Sequence, residues 1–139
     1  MKNSNDYETP LLNIERSVSS IIFIIIISAI IAYFAYFLLA QINPWGFLVM
    51  VPAAIFSFQS LWMLLNPFAH VFEDRIEIKQ SLFSNKLWYY VDIKSISENS
   101  KGVIFVKYKD DEVEPMKLLG IKPSHLELLK SEISKRISK

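Results

Sequence analysis

Two long apolar runs, a stretch of alternating residues and a striped terminus divide the 139-residue chain. Val18 to Ala40 is interrupted only by Ser19, Ser20, Ser28 and two tyrosines. At about 1.5 Å rise per residue this run makes roughly 35 Å of helix, enough for a hydrocarbon core of about 30 Å. Its many isoleucines would favour a strand in water. In lipid an isolated strand leaves backbone groups unpaired at several kcal/mol each, so helix is expected. A cleaved signal peptide would have a shorter apolar stretch, a basic leader and small residues at its end. Here Asp6, Glu8 and Glu15 flank the run, and Leu38-Leu39-Ala40 closes it.

Gln41 to Gly46 reads as a turn. Asn43 can cap a helix and Pro44 suits a first helical position. A second span is expected from Phe47 to Leu65, closed by Asn66-Pro67, with Pro52 bending it or delaying its regular start. Trp45 and Trp62 stand near its two ends, where amphipathic rings favour the membrane interface.

From about Val71 the period changes to two. Arg75-Ile76-Glu77-Ile78-Lys79 alternates as a half-buried strand does. Ser81 to Asn85 reads as a loop, and Lys86 to Ile96 as a second extended run with Leu87, Tyr89, Val91 and Ile93 on one face. Further strands are expected over Val103–Lys109 and Val113–Leu118, the latter at an edge because of Pro115. Ser124-His125-Leu126-Glu127 fits a capping box. Leu126, Leu129, Ile133 and Ile137 then form one apolar stripe of a terminal helix.

This order resembles the bacterial pleckstrin-homology-like (PH-like) domains, in which a short membrane hairpin often precedes the domain. Carrying the likeness are Phe72-Glu73-Asp74-Arg75-Ile76-Glu77-Ile78, then Trp88-Tyr89-Tyr90-Val91-Asp92-Ile93-Lys94-Ser95-Ile96, and the helix from Ser124. The likeness covers Val71 to Ile137, and the family more often has Trp where Tyr90 stands. It implies a membrane α-helical hairpin plus an α+β tail, the tail being an antiparallel PH-like sheet or half-barrel closed by a C-terminal amphipathic helix. An OB-like barrel is the alternative fold, against which the terminal helix argues. In the aromatic-x-Asp-Ile pattern, the aromatic is expected in the core and Asp92 at the following turn. The domains expected are a cytoplasmic segment 1–16, a transmembrane hairpin 17–66 and a cytoplasmic PH-like domain 67–139.

Charge adds an orientation. No Asp, Glu, Lys or Arg lies between Ser17 and Phe72, whereas residues 66–139 hold thirteen basic and eleven acidic groups. That balance falls short of a nucleic-acid footprint. Basic residues flank the spans at Arg16, Arg75 and Lys79, and the connecting turn has none. Both termini are therefore expected on the cytoplasmic side, and the resemblance implies that the membrane is a bacterial inner membrane.

The chemistry of the chain is sparse. It has no cysteine and two histidines, His70 and His125, without an evident metal partner. Asp110-Asp111-Glu112 with Glu114 reads as a solvated hairpin tip, since the spacing of a calcium loop is missing. No nucleophile–base pairing, phosphate loop, cofactor site or small-molecule substrate site is visible. The polar residues of the spans read as hairpin-packing groups, and Ala29, Ala32, Ala35 and Ala40 as a close-packed face. Lys79, Lys86 and Trp88 flank the first hairpin as possible contacts to anionic lipid. Leu82 and Phe83 at its tip are candidates for insertion, for docking, or for folding back onto the sheet.

The expectation is a non-enzymatic, membrane-anchored binding or assembly module. Its partners would be the lipid bilayer and a protein partner or a second copy. A small accessory subunit of a transporter or channel, acting through its helices, is the alternative.

Overall fold

A computed structural model describes residues 9–138. The expected segment 1–16 is thus described only from residue 9, and Asp6 and Glu8 lie outside the described residues. The elements are β1 (Leu12–Ile14), α1 (Val18–Ala40), α2 (Trp45–Leu65), β2 (Ala69–Val71), β3 (Arg75–Ser81) and β4 (Ser84–Tyr89). A 3-10 turn (Tyr90–Asp92) follows, then β5 (Ile93–Glu98), β6 (Ile104–Tyr108), β7 (Val113–Met116) and α3 (Pro123–Ile137).

Helix α1 has the bounds its apolar run predicts. Helix α2 starts two residues earlier than expected, because the Asn43 side chain accepts the Trp45 amide at 3.1 Å and its carbonyl accepts the Gly46 amide at 3.0 Å. Pro52 stands inside α2 without ending it. Covered positions recur at alternating spacings of three and four: Ser28, Ile31 and Ala35 on α1, and Gly46, Val49, Ala53, Phe56, Ser60 and Met63 on α2. That is the period of a two-helix seam. Ser28 meets Ser57 across it at 2.9 Å. The expected alanine face is corrected by this seam: Ala35 is buried in it, while Ala29, Ala32 and Ala40 face outward. Both helices are long and apolar enough to cross a membrane, and only a small part of each is buried within the chain.

The strands form a four-stranded antiparallel sheet in the order β1-β2-β3-β4 and a three-stranded one in the order β5-β6-β7. One core joins both sheets to α3, through Ile14, Phe68, Ile76, Ile78, Trp88, Ile93, Ile104, Val106, Leu129 and Ile133. The two sheets do not close into a barrel.

Four sequence expectations need correction. The boundary at residue 16 is crossed by the sheet, since β1 precedes the hairpin and pairs with β2 beyond it, Ile14 opposite Ala69. The stretch 86–96 is broken by the 3-10 turn into strands of different sheets. Ile93 is buried as expected, at the start of β5, but before it the inward face is Trp88 and Tyr90, leaving Leu87, Tyr89 and Val91 exposed. Residues 87–91 are all apolar or aromatic, so alternation alone could not choose a face, and pairing of Trp88 with Ile76 decides it. Finally, Pro123 begins α3 at its first position, and no side chain caps it. Ser124 is already inside the first turn, where its hydroxyl cannot serve as a cap.

Candidate functional site at the hairpin–sheet junction

Because β1 and β2 pair with each other, the chain leaves the sheet at Ile14 and returns to it at Ala69. Arg16 is the side chain trapped at this crossing. It is 6 % exposed. Its guanidinium lies 4.9 Å from the Trp62 ring centre and 5.7 Å from that of Phe68. Nε donates to the Asn66 carbonyl at 3.1 Å, and another guanidinium nitrogen donates to the Lys79 carbonyl. One residue therefore ties the start of α1, the end of α2 and strand β3 together. Burial lowers its pKa to about 10, so it remains charged at neutral pH. Its acceptors are backbone carbonyls, and no carboxylate pairs with it among the described residues.

The segment between β1 and α1 is clamped from the other side. Ser17 donates its amide to the Gly120 carbonyl at 2.7 Å, and Lys122 donates its amide to the Glu15 carbonyl at 3.0 Å. The Lys122 ammonium reaches the Glu15 carboxylate at 2.5 Å, which holds that carboxyl below its usual range. The Glu15 amide donates to Nδ1 of His125 at 3.0 Å. The other histidine, His70, meets Asn13 across the β1–β2 pair at 2.7 Å, and its pKa is lowered by burial and by Lys79. The two histidines are thus engaged in separate local contacts, and the described residues contain no group of three or more metal-binding side chains.

The residues expected at the first hairpin separate into two places. Lys79 is at the junction, its ammonium 3.4 Å from the Asn66 side-chain oxygen. Leu82 is there too: its amide donates to Oε1 of Gln59 at 2.8 Å, with Phe83 beside it 79 % exposed. Lys86 points elsewhere, to Glu114 at 2.8 Å. Trp88, expected as a surface contact, is a core residue. An indole facing the closed side of β4 gains more from burial than from a wet hairpin flank.

The acidic tip is cation-paired. Asp111 meets Lys94 at 2.8 Å and Lys107 at 3.0 Å, which lowers its carboxyl pKa. Tyr90 occupies the core as expected, but the turn after it is closed by the Ile93 amide on the Tyr90 carbonyl, not by the Asp92 side chain.

Arg16, Gln59 and Asn66 are the junction residues that sequence reasoning missed as a site. Arg16 was visible as the last charge before an apolar run, and Gln59 as the only amide side chain within the second span. Neither signal says that the two meet the same sheet. No protein-family model, curated protein or solved structure matches the chain.

Proposed function

We propose that the chain is a non-enzymatic module anchored in a bacterial inner membrane by its helical hairpin. The sheet domain is PH-like and stands at the cytoplasmic face, where it binds a protein partner or another copy of itself. The observation that carries this reading is the insertion of the hairpin between two paired strands. A domain stitched to its anchor at β1 and β2 is held at one orientation to the bilayer, which suits a docking platform. The antiparallel sheets closed by α3 support the PH-like reading, and the pairing of β1 with β2 supports placing both hairpin ends on one side. Arg16, Arg75 and Lys79 favour the cytoplasmic side. Exposed Leu87, Tyr89 and Val91 offer a contact surface.

Cross-linking in native membranes, with mass spectrometry of what co-purifies, tests the proposal. Cross-links from Lys79, Lys86 or Lys117 to a protein or to a second copy are expected, and weaker recovery is expected for Tyr89→Ala. Cross-links confined to the chain itself, in membranes where the protein is abundant, would overturn it.

A second reading is an accessory subunit acting through its helices, favoured by the outward placement of Ala29 and Ala32. In that case Ala29→Leu with Ala32→Leu abolishes recovery while Tyr89→Ala leaves it unchanged.

A further inference from the structure

A cleft of about 410 Å³ opens between the hairpin and the sheet domain, with Arg16, Ser19, Ser20, Gln59 and Gln80 supplying its polar lining. Its remaining wall is apolar: Phe23, Ile24 and Met63 from the helices, and Leu119 from the loop before α3. Leu119 is 97 % exposed. Gly120 next to it has φ +94°, a conformation that glycine tolerates, and its Cα side faces Ser20. A polar end and an apolar wall meet in one groove.

The electrostatics of the polar end are unbalanced. Arg16 places one cation there, answered by the Asn66 and Lys79 carbonyls. The Glu15–Lys122 pair clamps the other side of the segment between β1 and α1, and none of the ion pairs among the described residues involves a residue lining the cleft. A buried cation with only neutral acceptors favours an anion brought from outside. Phe23 and Ile24 lie five and six residues along α1 from Val18, about 8–9 Å down its axis. The groove therefore runs from the level where headgroups lie toward the level of the acyl chains.

We infer that this cleft binds one anionic phospholipid of the surrounding bilayer, with its phosphate at Arg16, Ser19 and Ser20 and an acyl chain along Phe23, Ile24 and Leu119. Arg16 is the one charged side chain of the lining and no carboxylate stands in it, which favours a headgroup of net negative charge over a zwitterionic one. The inference rests on the membrane-spanning reading of the hairpin.

The test uses the full chain. Membranes are first washed with alkaline carbonate; release of the folded protein would overturn the spanning reading and this site with it. Protein that stays is purified, delipidated, and offered phosphatidylglycerol or phosphatidylcholine in mixed micelles, with bound lipid counted by native mass spectrometry. One phosphatidylglycerol per chain is expected, retained at least tenfold more than phosphatidylcholine and not displaced by millimolar inorganic phosphate. Arg16→Gln is expected to lower retention at least tenfold. Because Arg16 also anchors the fold, Ser20→Phe, which fills the groove without changing charge, and Leu119→Ser, at an exposed position, supply independent variants, each checked for folding by circular dichroism. Both are expected to lower retention severalfold. Equal retention of the two lipids, or unchanged retention in folded Ser20→Phe and Leu119→Ser, would overturn the site while leaving the anchor reading intact. Displacement by phosphate alone would replace it with a free-anion site.

Discussion

The amide of Leu82 donates a 2.8 Å hydrogen bond to Oε1 of Gln59, so the tip of the β3–β4 hairpin is tied to the side of α2. Gln59 lies six residues before Leu65, the end of that helix, or about 9 Å along its axis. The tip thus overlaps the helix instead of standing clear of it.

Gln59→Leu should free this tip. Removing the acceptor costs about 1 kcal/mol of net hydrogen bonding. Faster hydrogen exchange is expected at the Leu82 amide, with the β5–β6 amides unchanged, as read by exchange mass spectrometry over residues 80–108.

Overlap with the helix also sets a depth for Phe83. The chain contains no cysteine, so Phe83→Cys gives a single spin-label site. In liposomes, a label there should be relaxed by oxygen, which concentrates in lipid, more than by a water-soluble nickel chelate. A label at Lys101, on the β5–β6 turn, should show the reverse.

The turn of the helical hairpin carries two opposed constraints. An added Cβ at Gly46 would lie 2.6 Å from the Leu39 side chain and 2.9 Å from its backbone nitrogen. Gly46→Ala should therefore destabilise by about 1–3 kcal/mol through overpacking, although alanine is the better helix former by about 1 kcal/mol. Ile42, a β-branched residue at φ 57°, gives the opposite result. Ile42→Gly should stabilise the turn by about 1 kcal/mol by relieving a left-handed conformation. Thermal unfolding in detergent micelles separates the signs.

Tyr90 and Tyr108 govern the alkaline limit of the sheet domain. Burial pushes the Tyr90 phenol up to about 12. Tyr108 reaches about 12 through burial and its hydrogen bond to Glu114. Both pKa values are raised above the unfolded value of about 10. The stabilisation is therefore fully present below pH 10 and is lost as pH rises from 10 through 12. The Tyr90 hydroxyl is buried without a protein partner, so Tyr90→Phe should be neutral or stabilising by up to about 1 kcal/mol at pH 7. Melting temperature should then fall less steeply between pH 10 and 12 than in the parent chain.

Where local chemistry is decisive, the chain announced its structure. The bounds of α1 follow from a long, charge-free apolar run, and the stripe Leu126, Leu129, Ile133 and Ile137 follows from helical period alone, two of its members becoming core. Strands β3, β6 and β7 likewise follow from alternation and turn residues. What tertiary structure decided are features whose partners are remote in sequence. Leu12–Ile14 is too short to show a period, and becomes a strand only because Ala69–Val71, beyond the whole hairpin, supplies its hydrogen bonds. Trp88 and Tyr90 turn inward over Leu87 and Tyr89 because the register with β3 sets the face, a choice that an all-apolar stretch leaves open. Arg16 reads locally as a flanking charge. Only packing against Trp62, Phe68 and the carbonyls of Asn66 and Lys79 makes it the buried cation of the junction, because burial is a property of what surrounds a residue and not of the residues beside it in the chain.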